Sequence, residues 1–242
     1  MSDNIIHLSE ASSTNSYLKQ LSLKEKIAEG TIVIADFQTA GRGQKGNSWI
    51  SEKSKNILFS TILYPSFIKI KQQFLISQIV SLSIKNVLTG YTPDISIKWP
   101  NDIYWKNQKI CGILIENELS NDHLAQSFIG IGINVNQKIF EDKSINAISL
   151  HQISGKEYDR FEILDKIKKE LKRLYKESKE SPETIIKEYK RNLYRLNERH
   201  CYEDKNGKFI GQIIDVELTG YLMIRTDKQE IRKYLFKEVK FI

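Results

Sequence analysis

Residues 39–49, Thr-Ala-Gly-Arg-Gly-Gln-Lys-Gly-Asn-Ser-Trp, bring three glycines, two cations and a tryptophan together. Glycine admits backbone conformations with positive φ and lets a ligand approach closely. Successive backbone N–H groups in such a loop form a concave nest that suits a phosphate or a carboxylate. Arg42 and Lys45 add positive charge, and Trp49 offers a flat face to a base or an aliphatic chain. The plain alternative is a polar surface turn. Two nucleotide signatures almost fit the loop, and context removes both. Gly41, Gly43 and Gly46 spell G-x-G-x-x-G, which must open a helix and be followed about 20 residues on by an acid. Here no helical period follows Gly46, and the region near Thr61–Tyr64 has no carboxylate. Residues 41–48 also approach the G-x-x-x-x-G-K-S phosphate loop, but Asn47 stands in place of the lysine.

Four more polar clusters carry potential chemistry, each with a bland counterpart. Ser13-Thr14-Asn15 can cap a helix or surround a compact polar head group with donors and acceptors. Lys98-Trp99-Pro100-Asn101-Asp102 reads as a turn after an edge strand, or as a cation and a carboxylate facing a ligand from the strand's end. In Lys109-Ile110-Cys111-Gly112-Ile113-Leu114-Ile115-Glu116 the lysine is either a solvated strand end or a functional cation. Gly112 weakens that strand and marks a close approach to its backbone. Gly130-Ile131-Gly132-Ile133-Asn134-Val135-Asn136 alternates small and polar residues with β-branched ones, as a bulge or as the floor beneath a ligand.

The elements that must position these clusters follow from periodicity. Ser12 to Asn15 opens a helix with several capping hydroxyls available. Runs at 32–37 and 57–64 are strands, as are 95–99, 110–115 and 127–135, and an Asn107-Gln108 turn joins Tyr104-Trp105 to Lys109 in a hairpin. Phe74, Leu75, Ile79, Leu82 and Ile84 place a buried helix over about 71–88. Phe161, Leu164, Ile167, Leu171 and Leu174 mark an amphipathic helix, and Ser181-Pro182 starts another over 182–194. Beyond Arg195, short strands at 200–202, 209–216, 221–225, 229–234 and 239–242 alternate with tight turns, as in a small β-barrel. The expected fold class is α+β, a mixed sheet with flanking helices plus a small C-terminal barrel. The expected domains are 1–194 and 195–242.

The chain has 242 residues, 40% hydrophobic and 28% charged, as expected of a globular protein. No apolar run suits a bilayer and no secretory signal is evident, so a cytoplasmic location without a membrane partner is expected. Cys111 and Cys201 are isolated, which argues against disulfides and a structural zinc. The net charge of +7 points weakly to acidic partners. The basic stretch 156–199 is interleaved with acids, the pattern of a solvated helix face, and no nucleic-acid reading element is seen.

In this order and combination, Ser13-Thr14-Asn15, Gln38, Gly41-Arg42-Gly43 through Trp49, Lys98-Trp99-Pro100-Asn101-Asp102, Lys109 through Gly112, and Gly132-Ile133-Asn134 resemble the biotin protein ligases. The resemblance spans residues 5–136, and the C-terminal strands are similar to that family's SH3-like tail. It implies a catalytic domain like that of class II aminoacyl-tRNA synthetases. It also implies condensation of biotin with ATP to biotinyl-5′-AMP and pyrophosphate, then transfer of biotin to a lysine of a biotin carboxyl carrier domain. Mg²⁺ is implied with the nucleotide, its protein ligands unknown. The implied catalytic residues are Arg42, Lys109 and Asp102. The implied biotin contacts are Ser13, Thr14, Asn15, Gln38, Arg42, Gly43, Gln44, Lys109 and Gly112. Lys45, Trp49, Lys98, Asn101 and Asn134 are implied at the ATP or adenylate site, with Trp49 also a candidate wall for the valeryl chain. Ligand-induced ordering of the glycine loop would shield the mixed anhydride from water.

Two features depart from the family pattern. The usual loop reads Gly-Arg-Gly-Arg-x-Gly-Arg, whereas Gln44 and Asn47 occupy the later arginine positions, with Lys45 or Mg²⁺ expected to offset part of the lost charge. Twelve residues precede Ser13, too few for the helix-turn-helix of the members that also repress transcription, so a monofunctional ligase without DNA binding is expected. The rival readings are a lipoate or octanoate ligase or transferase of the same fold, a DNA-binding repressor, and a non-catalytic carrier-binding module. A homodimer paired through a sheet edge is a further possibility implied by the resemblance.

Overall fold

The computed structural model describes residues 1–2, 4–140 and 146–242, and the Lys45 side chain also lies outside the description. The first 133 residues build a seven-stranded sheet. Its strands are β1 (Ile5–Leu8), β2 (Ile32–Ala35), β3 (Ile57–Leu63), β4 (Ile95–Lys98), β5 (Asp102–Trp105), β6 (Gln108–Ser120) and β7 (His123–Ile133). They lie in the order β1-β2-β3-β7-β6-β5-β4, with β1 and β2 parallel and every other pair antiparallel.

Successive side chains on a strand point to opposite faces, and here the two faces serve different ends. Ile57, Phe59 and Leu63 of β3, Cys111 and Ile113 of β6, and Ile129, Ile131 and Ile133 of β7 enter the main core. Helices α2 (Phe74–Thr89), α4 (Arg160–Glu180) and α5 (Pro182–Arg191) pack there through Leu75, Ile79, Leu82, Leu164, Ile167, Leu171 and Ile185. Each such side chain contributes about 1.5–3 kcal/mol on burial. On the opposite face, helix α1 (Thr14–Lys24) covers Val33, Ile62 and Phe128 with Leu18. The rest of that face, at Gly112, Gly130 and Gly132, is left to a cleft.

Helix α4 starts at a capped end, with the Asp159 carboxylate accepting from the N–H groups of Phe161 and Glu162. Pro182 opens α5 as expected, but Ser181 makes no side-chain cap bond. The capping role expected near Ser12–Asn15 is likewise absent. Ser13 is the N-cap residue of α1 without a side-chain cap bond, and the neighbouring Thr14 hydroxyl lies against that of Ser60 in the sheet. Helix α2 begins at Phe74 because 70–72 form a short 3₁₀ turn, and the hairpin turn falls at Lys106-Asn107. The short strand β1 and helix α3 (Leu150–Ser154), which opens with a capping box between Ser149 and Gln152, add to the expected elements.

The C-terminal strands β8 (Arg199–Asp204), β9 (Gly207–Val216), β10 (Leu222–Thr226), β11 (Ile231–Tyr234) and β12 (Lys240–Phe241) form an antiparallel sheet in the order β11-β10-β9-β8-β12. It shares the main core, with Tyr202, Ile213, Leu222 and Ile224 buried alongside Ile97 and Trp99. Trp99 Nε1 donates to the carbonyl of Gly220 at 2.9 Å, in buried surroundings. Gly220, at φ +96°, turns so tightly against Phe74 that a Cβ would come within 2.9 Å of its ring. The observed architecture is the expected α+β arrangement of a mixed sheet, flanking helices and a second small β unit.

Candidate active site

The cleft floor is made of absent side chains. Gly112 pairs with Gly132, and Leu114 with Gly130, across β6 and β7. A Cβ on Gly112 would lie 2.8 Å from the Trp49 ring, and one on Gly132 would overlap the indole outright. Trp49 therefore rests flat on the sheet where β-branched neighbours leave two glycine gaps, with its Nε1 buried and without a hydrogen-bond partner among the described atoms. Residues 130–133 lie in regular register with β6 rather than in a bulge, and what approaches the backbone of Gly112 and Gly132 is Trp49.

The start of α1 forms one wall. Thr14 donates through its N–H (2.8 Å) and hydroxyl (3.1 Å) to Gln38 Oε1, and its hydroxyl lies 2.8 Å from that of Ser60. These bonds orient Gln38, whose Nε2 faces the Gly41 backbone. Ser13, Thr14 and Asn15 are all buried and all line the cleft. Ser60, the register partner of Gly130, was missed because a serine within an apolar strand carries no signal of its own.

The glycine loop forms the rim. Trp49 N–H donates to the Gly41 carbonyl and Gly43 N–H to the Asn47 carbonyl, with a short 3₁₀ turn over Gln44–Gly46. Gly46 sits at φ +87°, where only glycine is unstrained. Arg42, Gly43, Gln44 and Asn47 line the cleft. Arg42 is committed to a carboxylate, since its guanidinium meets Glu116 at 2.8 and 3.3 Å. Glu116 also accepts from Asn15 Nδ2 at 2.9 Å. Sequence reasoning missed Glu116, which on a strand looks like any solvated acid.

Lys109 reaches the cleft through an irregularity. It lies three positions before Gly112, a spacing that in a regular strand places the two on opposite faces. Instead Ile103 pairs with Cys111 and Tyr104 with Lys109, so Ile110 is an extra residue. Such a bulge shifts the alternation by one, bringing Lys109 to the face of Asp102 and Gly112. Lys109 Nζ then pairs with Asp102 Oδ1 at 2.7 Å and stands 5.6 Å above the Trp49 ring. Asn101 fixes the turn, donating to the Ile113 carbonyl and accepting the Ile113 N–H. Both Asn101 and Asp102 line the cleft, as does Phe236 from the C-terminal unit, which no local pattern marks.

A second, larger cleft lies on the other side of Trp49, lined by residues 46–52, Lys109, Asn134, Gln137, Ile139, Phe140 and Ala147. Asn134 donates to the carbonyls of Lys109 and Ile148. Asn56 ties the loop's stem to the far wall, donating to Ser51 and Gln137 and accepting from Val135 N–H. Of the implied site residues, Lys98 lines neither cleft. Its ammonium donates to Tyr104 at 2.9 Å and stands over the Tyr104 and Phe241 rings, and burial lowers its pKa. The Lys45 side chain is outside the described residues. Burial raises the Cys111 thiol far above its ordinary range, leaving it inert beside the site. Among the described residues, no cluster of three or more acids, histidines or cysteines could hold a metal. Among the described residues, no helix is long and apolar enough to cross a membrane.

Comparison with known proteins agrees with this geometry. Residues 9–134 match the Biotin/lipoate A/B protein ligase family. The chain is 32% identical over 234 residues to the bifunctional ligase/repressor BirA of Bacillus spizizenii, covering 94% of this chain and 71% of that protein. It is 25% identical over 224 residues to the biotin–[acetyl-CoA-carboxylase] ligase of Mycobacterium tuberculosis, covering 90% and 81%. The solved biotin protein ligase from Aquifex aeolicus, in complex with biotin and ATP, aligns over the whole of both chains with a TM-score of 0.82 and 31% identity. By fold, cleft and sequence, this chain belongs to the biotin/lipoate A/B protein ligase family.

Proposed function

We infer that this protein is a biotin protein ligase, which joins biotin to ATP as biotinyl-5′-AMP and passes the biotinyl group to a lysine of a carboxyl carrier domain. The observation that carries the reading is the pair of clefts meeting at Trp49 and Lys109. The first offers small donors and acceptors suited to a ureido ring. The second is roomier and partly apolar, suited to a nucleoside. Similarity to a ligase solved with biotin and ATP supports the same assignment.

In the first step a carboxylate oxygen attacks the α-phosphorus, and the bond to the pyrophosphate oxygen breaks. Two anions meet, so cationic and N–H groups aimed at the reacting oxygens lower the barrier. Lys109 stands at the junction of the clefts, and the N–H groups of the glycine loop add to it. Arg42 would have to leave Glu116 to serve the same charge. Mg²⁺ carried in with the nucleotide would supply positive charge against the polyphosphate. The donor set fits such a role through the nucleotide, since the described residues form no metal cage of their own. In the second step the carrier's lysine amine attacks the acyl carbon and AMP leaves. Asp102 would hold the incoming ammonium or take its proton. The division into a catalytic unit over 1–194 and an SH3-like unit over 195–242, with Phe236 reaching back to the cleft, belongs to this proposal. So does pairing of two copies along a sheet edge.

The test is ATP-dependent incorporation of labelled biotin into a purified carrier domain, with lipoate and octanoate as competing acids. Incorporation of biotin alone supports the reading, and preference for either other acid overturns it. The cleft's polar head favours biotin, because a dithiolane or an alkyl chain would leave the buried Asn15 Oδ1 without a partner.

A further inference from the structure

We infer that Glu116 is a positioning residue of the biotin pocket: its carboxylate sets the orientation of the Asn15 amide, so that Asn15 Oδ1 faces the ligand as an acceptor for a ureido N–H. This inference rests on the biotin reading of the cleft. A carboxylate can only accept hydrogen bonds, so the side of the Asn15 amide against Glu116 must be its NH₂, and Nδ2 donates to Glu116 Oε2 at 2.9 Å. That fixes Oδ1 on the opposite side, where it lies 3.0 Å from the position of a Cβ on Gly130, above the cleft floor. Oδ1 is buried and has no partner among the described atoms. A buried acceptor left unpaired is costly, and a ligand that brings an N–H removes that cost.

The same carboxylate receives both Arg42 nitrogens. One acid thereby joins the glycine loop, the first turn of α1 and strand β6. It also neutralises Arg42, so this end of the cleft suits an uncharged urea rather than an anion. The alternation of β6 puts Glu116 on the face of Gly112 and Leu114, at the end of the floor.

The test compares the intact wild type with Glu116→Ala, Glu116→Gln, Asn15→Ala and the Asn15→Ala/Glu116→Ala double variant. Calorimetric titration with biotin alone gives Kd, and ATP–pyrophosphate exchange gives kcat and the KM for ATP. Glu116→Ala should weaken biotin about tenfold or more, with the KM for ATP within about threefold and no fall in kcat at saturating biotin, since Arg42 is released rather than lost. Glu116→Gln, which keeps an acceptor, should recover most of the affinity. The double variant should bind no more weakly than Asn15→Ala alone, the mark of a shared interaction. Unchanged biotin affinity in Glu116→Ala, additive losses, or a fall in kcat at constant Kd would overturn the inference. If Glu116→Ala fails to fold, Asn15→Ala must show the same selective loss. A wild type that binds no biotin rejects the biotin reading as well, whereas tight wild-type binding with an indifferent Glu116→Ala rejects this inference alone.

Discussion

Lys109 and Asp102 share one face of the sheet because a bulge leaves Ile110 out of the ladder that pairs Asp102 with Gly112 and Tyr104 with Lys109. The 2.7 Å ion pair stands beside Trp49, where the two clefts join. The pair divides the two chemical steps between its partners. Lys109→Ala removes the cation from the first step, so adenylation should fall about 10²–10³-fold. Asp102→Asn leaves Lys109 in place, so it should spare adenylation by comparison and slow transfer to the carrier more. Pyrophosphate exchange reads the first step, and single-turnover transfer from preformed adenylate reads the second. Equal losses of both steps in Asp102→Asn would remove Asp102 from transfer.

The floor glycines test the seat of Trp49. Gly132→Ala places a methyl where the indole lies, so Trp49 must lift from the sheet. The KM values for biotin and ATP should each rise about tenfold or more, while the thermal midpoint moves little because the ring lies in a loop outside the core. Steady-state kinetics and a thermal melt check this together. A large stability loss with unchanged KM would show that Trp49 serves packing rather than ligand binding.

Gln44 opens the 3₁₀ turn of the glycine loop and faces the cleft. Gln44→Arg supplies a charge at one position where the family's usual loop carries it. A charge-assisted contact to phosphate is roughly twice as strong as a neutral one, so release of the preformed adenylate should slow about tenfold. The dissociation rate of labelled adenylate from the purified protein measures it. An unchanged rate would mean that Gln44 does not face the phosphate.

Trp99 holds the C-terminal unit to the main sheet through its bond to the Gly220 carbonyl. Trp99→Phe keeps most of the ring and leaves that carbonyl unpaired, which should cost about 1–3 kcal/mol. Denaturant unfolding checks the value. Because Phe236 belongs to the same unit, the KM values should rise as well, and a stable variant with normal kinetics would separate the unit from the site.

Much of the site was legible because its residues cluster in short runs. Ser13-Thr14-Asn15, Gln38, the glycine loop, Asn101-Asp102, Lys109 and Gly112 all line one cleft. The missing parts have physical reasons. Glu116 and Ser60 are single polar residues on strands, defined by what lies across the sheet. Phe236 arrives from another sheet. The Ile110 bulge is a matter of register, which residue types do not specify. Lys98 sat in a strong motif, yet its ammonium is held by Tyr104 and Phe241, partners on other parts of the chain. The serines before α1 and α5 resembled caps but do not act as such, the first because its region faces a pocket.

Strands β3, β6 and β7 encode core and cleft on alternate residues, so the two are interleaved in the gene as well as in space. Substitution can alter one and leave the other, but a change of length cannot. Ile110 is the exception, because the bulge already sets it outside the ladder. Deleting it would restore a regular ladder with Lys109 still opposite Tyr104 and on the cleft face. Keeping Ile110 but flattening the bulge would instead turn Ile110 to the cleft and Lys109 to the core. The reactive centre thus tolerates the extra codon only because the strand bulges around it.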